Sequence, residues 1–144
     1  MRILRFLVLI ASLVSCPIFS DEISIAQSHN SRFSMVGIDS EAEVSDFLSK
    51  LQTWVNADKR SDVVSVVRFP ISVYLGGLRV KIRSKKAFLE NYERIMNKKV
   101  RSAILSQKEK ELFVNWQGIM FGNGEIWINK ITHKNIMITA INTT

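Results

Sequence analysis

Two short runs of alternating residues lie on either side of the pair Gly76-Gly77. In residues 71–75 and again in residues 78–82, every second side chain is aliphatic. Alternation with a period of two is typical of β-strands that bury one face, and two glycines accept the positive φ angles of a two-residue turn. The sequence therefore predicts a β-hairpin, and the polar positions of its second strand and the residue that follows are all basic (Arg79, Lys81 and Arg83).

Helical spacing of apolar residues predicts two helices before this hairpin. The first is expected from Ser40 to residues 57–58, because Ser40 is a good N-terminal cap. Its apolar stripe consists of Val44, Phe47, Leu48, Leu51 and Val55. A second, short helix is expected after Ser61 with Pro70 as its terminator, while the valines between them would also suit a strand.

After the hairpin, the chain is expected to return to helix and to end in strands. Ser84 is placed to cap a third helix, and a further short helix is expected near Val100. Three strands are then predicted, at residues 112–121, 125–130 and 135–142. The resulting order, α-α-β-β-α-β-β-β, separates helices from antiparallel strands and indicates the α+β class.

Three features accompany this order: a first helix that ends in Asn56-Ala57-Asp58, a short helix before Phe69-Pro70, and a closing three-strand meander. Over residues 40–142 the chain resembles the nuclear transport factor 2-like superfamily, a cone-shaped fold also found in ketosteroid isomerase, scytalone dehydratase and polyketide cyclases. Segments 114–120 and 122–127 are similar to small exported bacterial members without an assigned activity. The resemblance implies a strongly bent antiparallel sheet over three helices, an apolar pocket at the open end of the cone, and a homodimer through the outer face of the sheet.

The N-terminus has the pattern of a secretory signal peptide. Arg2 and Arg5 precede an apolar run over residues 6–14, which is too short to span a bilayer. Cleavage after Ser20 is expected, with an uncleaved amphipathic anchor as another reading. A bacterial lipobox that ends in Cys16 is an alternative, in which Cys16 is lipidated and becomes the N-terminus. We expect a signal peptide at residues 1–20, a flexible leader or short extra element at 21–37 and one domain at 38–144, located in the periplasm.

Residues that could support catalysis or bind metal are few. The chain has 1 Cys and 2 His, and neither His29 nor His133 has a carboxylate placed to orient it. We therefore expect no metal and no cofactor. Glu125 is the one acid in the closing strands, and its place beside a turn predicts a solvated side chain. An isomerase or lyase of the ketosteroid isomerase type would instead need a buried carboxylate with a raised pKa.

Two candidate binding surfaces remain. Aromatic and amide side chains could line the cone pocket, although packing in the core or on a dimer face is the more usual role of such aromatic residues (Tyr74, Tyr92, Asn115, Trp116 and Trp127). Residues 79–110 hold 11 basic and 3 acidic side chains. Within them, a basic face is expected to attract an anionic ligand or an acidic protein, or simply to protect a strand edge (Arg79, Lys81, Arg83, Lys85 and Lys86).

These observations predict an exported, non-catalytic domain of the bacterial envelope that binds a ligand or a protein through the apolar pocket or the basic face. An immunity-type protein that neutralises an envelope toxin is the alternative, and a small-molecule isomerase or lyase ranks third. Nucleic acid is not an expected partner, because the chain carries an export signal and has few aromatic residues near the basic face to stack on bases. Contact with a membrane is expected only through the signal peptide or a lipid on Cys16.

Overall fold

The computed structural model describes residues 31–132 and 135–144, and this part of the chain has an α+β fold. Its helices are α1 (Glu41–Asn56), α2 (Arg60–Ser65), α3 (Lys85–Glu90), α4 (Tyr92–Ile95) and α5 (Lys98–Ser106). Its strands are β1 (Val67–Leu75), β2 (Leu78–Ile82), β3 (Phe113–Asn115), β4 (Gly118–Phe121), β5 (Ile126–Thr132) and β6 (Asn135–Asn142). None of the helices in the described ranges is long and apolar enough to cross a membrane. The α+β prediction is confirmed.

The six strands form one open, mixed sheet in the order β2-β1-β6-β5-β4-β3. Strands β1 and β6 run parallel, with Val73 beside Ile141, and all other neighbours are antiparallel. The expectation of a purely antiparallel sheet is therefore wrong for one pair. Parallel neighbours need a long crossover, and the chain between β1 and β6 supplies one that contains α3, α4 and α5.

The predicted hairpin is confirmed as β1 and β2. Leu75 faces Leu78, and Gly76 and Gly77 have φ angles of 58° and 81° in the turn between them. A side chain at either position would be strained, so the glycine pair fixes the register of the two strands.

The hydrophobic core lies between the helices and one face of this sheet. The predicted stripe of α1 is confirmed at Val44, Leu48, Leu51 and Val55, which are buried, while Phe47 is half-buried. Phe33 is also fully buried in the core, next to a short 3-10 helix over Ser34–Val36. Residues 31–37, expected to end the leader, therefore pack against the domain as a short extra element.

The prediction that the second helix extends to Pro70 is wrong. Helix α2 ends at Ser65, and Pro70 lies inside β1. Proline cannot donate to a strand ladder, and Pro70 sits where the pairing of β1 with β6 shifts register, between Val67 and Ser72. Pro70 also precedes the first residue of β1 that pairs with β2, Ile71, so no ladder bond is lost there.

The predicted long strand over residues 112–121 is two strands, β3 and β4, which pair antiparallel around a turn at Trp116 and Gln117. The Asn115 side chain closes this turn by accepting a hydrogen bond from the backbone N–H of Gln117 at 2.8 Å. Gly118 follows with a φ of 141°, and a Cβ there would lie 2.6 Å from the carbonyl oxygen of Ile128. The close approach of β5 therefore requires glycine at this position.

The predicted third helix is divided into α3 and α4. The Ser84 hydroxyl caps α3 by accepting from the N–H of Ala87 at 3.2 Å, as expected. Asn91 interrupts the helix, since its side chain donates back to the carbonyl of Ala87. The further short helix is confirmed as α5, where Asn97 caps the N–H of Val100. The described ranges thus contain five α-helices, where the sequence pattern predicts four and the resemblance implies three.

Several predictions concern residues outside the described ranges. They are the signal peptide with its cleavage at Ser20, lipidation of Cys16, the leader up to residue 30, and the settings of His29 and His133. These stay predictions.

A four-residue ion cluster joins α2 and α5 to the turn after α1. Asp58 has a φ of 50° and accepts from Arg60 Nε at 3.0 Å and from Arg101 Nη1 at 3.2 Å. Glu93 of α4 pairs with the same two arginines. The hydrogen bond from Arg60 is the main cause that holds the pKa of Asp58 below its usual value.

We expect Asp58→Asn to lower the urea midpoint of unfolding at pH 7. Asparagine keeps the left-handed backbone but loses the charge that both arginines bind. Because the folded pKa is depressed, this stabilisation exists above about pH 4 and is lost as the pH falls through the folded pKa. The difference between wild type and variant should shrink at pH 3. Asp39→Asn, at an exposed acid without an ion pair in the described ranges, is the control. Equal midpoints for all three proteins at pH 7 would contradict the prediction.

Candidate functional site

Five cations lie together on the edge of the sheet and on the helix that follows it. We call them the basic patch: Arg79, Lys81, Arg83, Lys85 and Lys86. Arg79 and Lys81 point from β2 to the face of the sheet opposite the core, since the alternate residue Ile82 faces the core. Lys85 and Lys86 form the first turn of α3, directly after the Ser84 cap. All five side chains are exposed.

No member of the basic patch lies within 4.0 Å of a carboxylate in the part of the chain that the structure describes. The Arg79 guanidinium donates to the Ser72 hydroxyl, at 3.1 Å from Nε and 3.0 Å from Nη2. Some cations elsewhere are compensated: Arg60 and Arg101 bind Asp58, and Lys130 binds Glu43 at 3.0 Å. Other unpaired cations in the described ranges are more widely spaced along the chain (Lys50, Lys59, Arg68, Arg94, Lys98 and Lys110). Eight consecutive residues, 79–86, thus hold five unpaired cations, which attract anions over a Debye length of about 10 Å.

Arg68 extends the same surface and was missed by the sequence prediction. It lies on β1, where the alternation that buries Val67 and Ile71 places Arg68 and Ser72 on the outer face. The valine run and Pro70 favour a helix that ends in this segment, and that prediction conceals the alternation. A period of two over residues 67–75 would have revealed it.

The rest of the outer face carries an apolar row. Six residues, one from each strand, are successive register partners across the whole sheet. From β3 to β2 they are Phe113, Met120, Trp127, Ala140, Ser72 and Lys81. The first four are apolar and at least partly exposed, and the last belongs to the basic patch. Apolar and cationic surfaces are therefore adjacent, a combination common in protein interfaces.

The five residues predicted to line a pocket are not brought together. Tyr92 is buried on the helical side of the sheet, while Tyr74 and Trp127 lie on the outer face. Asn115 is the last residue of β3, and Trp116 lies in the β3–β4 turn, where it is 82% exposed. The sequence could not distinguish these environments, because an aromatic residue at a strand position can face either side of a sheet.

The ring of Tyr92 instead packs beneath the two arginines of the ion cluster. The guanidinium carbons of Arg60 and Arg101 lie 4.9 and 5.4 Å from its ring centroid, and Phe88 contacts it edge-on. Burial is the main cause that raises the pKa of the Tyr92 hydroxyl, which has no hydrogen-bond partner in the described ranges. A neutral, enclosed phenol of this kind stacks with cations but does not face an open cavity.

Glu125 is buried, so the prediction of a solvated turn residue is wrong. Its carboxylate accepts from the backbone N–H of Asn123 at 2.6 Å and lies 3.5 Å from Lys99 Nζ. The short β4–β5 turn folds the carboxylate against Gly122, where a Cβ would collide with it. Both carboxylate oxygens thus have partners within the chain, which suits a role in holding the turn rather than in accepting a substrate proton.

An open cleft of about 520 Å³ lies beside this carboxylate. Its lining is mostly polar and consists of Tyr74, Lys99, Asn123, Gly124, Glu125, Asn142 and Thr144. A second groove, of about 330 Å³, runs between α1 and the start of β6. Neither contains the set of five predicted pocket residues. Within the described ranges, no three His, Cys, Asp or Glu side chains are grouped to hold a metal ion.

Comparisons of this chain with protein-family models, with curated proteins and with solved structures give no match. The chemistry of the surface residues therefore carries the functional argument.

We expect Glu125→Ala to destabilise the fold by about 0.5–1.5 kcal/mol, because the part-buried hydrogen bond from the N–H of Asn123 is lost. Glu125→Gln should cost less, since an amide oxygen can still accept that hydrogen bond and Lys99 is half exposed, which weakens the ion pair. Urea unfolding followed by tryptophan fluorescence measures both variants. Equal losses for alanine and glutamine would mean that the charge, not the hydrogen bond, holds the turn.

Proposed function

We propose that this chain is a non-catalytic protein-binding domain of the bacterial envelope that engages an acidic partner through the basic patch. One observation carries the proposal: five exposed cations fall within the eight consecutive residues 79–86, from β2 to the first turn of α3, and none of the five has a carboxylate partner within the described ranges. Uncompensated charge opposes the compact state by self-repulsion, so its concentration on one surface favours a role in binding.

A role as a binding protein is preferred over catalysis for two reasons. The buried carboxylate that an isomerase would use, that of Glu125, already has two partners in the chain. The buried tyrosine, Tyr92, lies beneath two arginines rather than in an open cavity. Neither group is placed where a substrate would meet a free acid or base.

The location and family of the domain are part of the proposal. We propose export through the N-terminal segment to the periplasm, with lipid anchoring at Cys16 as the alternative. We further propose membership of the nuclear transport factor 2-like superfamily, with a cone-shaped arrangement of sheet and helices. Helices on one face of a sheet with β1 beside β6 are compatible with this arrangement. A homodimer through the outer face is supported by the row from Phe113 to Ala140, which bears no charge.

Neutralisation of an acidic toxin, the alternative raised by the sequence, would use the same patch. The identity of the acidic partner separates the two roles. An apolar ligand in a cone pocket has less support, because the residues predicted to line that pocket lie in separate places.

The double variant Lys81→Glu/Arg83→Glu tests the proposal. A poly-glutamate peptide is the probe, titrated by isothermal calorimetry over a series of salt concentrations. We expect the variant to bind at least about tenfold more weakly, which corresponds to about 1.4 kcal/mol, and its affinity to depend less on salt. Phosphatidylglycerol vesicles measured in parallel distinguish an acidic protein from an anionic membrane surface.

Lys59→Glu/Lys98→Glu is the matched control. It changes the net charge by the same amount, and both lysines are exposed and lack an ion pair in the described ranges. If both double variants lose the same affinity, binding follows net charge and the basic patch is not the site. If the wild-type chain binds the vesicles more tightly than poly-glutamate, the proposal of a protein partner is wrong and an anionic membrane surface is the ligand.

A further inference from the structure

Among the described residues, strand β2 has one unpaired edge. It is the terminal strand in the sheet order, and β1 is its one neighbour in this part of the chain. Because Gly76-Gly77 is a two-residue connection, Leu75 and Leu78 form the hydrogen-bonded pair that closes the hairpin. Alternation along an antiparallel ladder then directs the N–H and C=O groups of Arg79 and Lys81 away from β1. No other backbone bond in the described ranges uses these groups.

The two faces of β2 differ in chemistry. Arg79 and Lys81 make its outer face cationic. On the inner face, Leu78 is 72% exposed and Val80 is 37% exposed. Their neighbours across the hairpin, Leu75 and Val73, are half-buried and fully buried. The core therefore does not cover Leu78 and Val80, and their apolar side chains remain exposed beside the unpaired backbone of β2.

We propose that β2 receives an extended segment of the partner protein as a seventh strand of the sheet, and that this segment alternates acidic with apolar residues. Its acidic side chains would lie beside Arg79 and Lys81, and its apolar side chains beside Leu78 and Val80. Main-chain hydrogen bonds provide affinity in such strand addition, and the alternating side chains provide specificity. This inference rests on the proposed function, because it assumes an acidic partner at the basic patch.

The same charges disfavour a second copy of this chain as the occupant. Two β2 strands placed edge to edge would bring Arg79 and Lys81 of both copies together, and like charges on facing strands are destabilising. Lysine on an edge strand commonly prevents such pairing. An acidic strand removes this penalty, so charge complementarity selects the partner.

The experiment measures binding of three kinds of peptide, each built from equal numbers of glutamate and valine residues, first to the wild-type chain and then to variants. The first alternates glutamate and valine. The second contains the same residues as one acidic block and one valine block. The third is the alternating peptide with N-methyl groups on every second residue, prepared in two forms: one methylated on all glutamates and the other on all valines. N–H groups of alternate residues point to the same edge of an extended strand, so each form blocks one edge only.

We expect the alternating peptide to bind at least about tenfold more tightly than the block peptide. One N-methylated form should lose binding by a similar factor and the other should retain it, which also reports the direction of the added strand. Hydrogen exchange at the amides of Arg79 and Lys81 should slow in the complex. Leu78→Ser, at a largely exposed position, should weaken binding of the alternating peptide and leave binding of the block peptide unchanged.

Equal binding of the alternating and block peptides, or of the two N-methylated forms, would overturn strand addition. If Lys81→Glu/Arg83→Glu still abolishes binding of all these peptides, the proposed function stands without strand addition. If that variant binds them as wild type does, the proposed function fails, and this inference fails with it.

Discussion

The parallel pairing of β1 with β6 holds the two parts of the sheet together. It joins residues 72–74 to residues 140–142, which are separated by most of the folded chain, and buries Val73 beside Ile141. An isolated two-strand hairpin is marginally stable in water, so the β1–β2 hairpin depends on this contact. In the part of the chain that the structure describes, β6 occupies one side of β1 and β2 the other. Strand β2 is therefore the terminal strand, and the strand residues of the basic patch lie at the border of the sheet.

Charge is arranged in two different ways on the same domain. At the junction of α1, α2 and α5, Asp58 and Glu93 neutralise Arg60 and Arg101, and the four groups cover the buried ring of Tyr92. Along β2 and α3 no such compensation exists in the described ranges. The first arrangement stabilises a packing contact that is already complete. The second leaves the electrostatic attraction of five cations available for a molecule outside the domain.

Local patterns predicted the elements whose cause is local. The alternation around Gly76-Gly77 and the stripe of α1 each follow from one periodicity, and both are confirmed. The turn at Trp116 and the place of Pro70 depend on neighbours distant in sequence, since β5 requires Gly118 and the irregular β6 pairing accommodates Pro70. The basic patch was predictable because each of its members lies within eight residues of a clear turn or cap. The burial of Glu125 was not, because Lys99, its partner, lies on a helix that only the tertiary fold brings near.

The unpaired edge of β2 carries two features with opposite effects: cations that disfavour pairing with an identical strand, and exposed apolar side chains that favour the addition of another strand. Its cations disfavour pairing with an identical strand, which is how many edge strands avoid aggregation. Protection alone would be served equally well by a short polar strand, yet Leu78 and Val80 keep apolar side chains exposed on the inner face. Apolar surface at an edge is costly in water and becomes favourable once another strand covers it. The pattern of both faces is therefore explained more completely by an acidic strand partner than by protection of the edge alone.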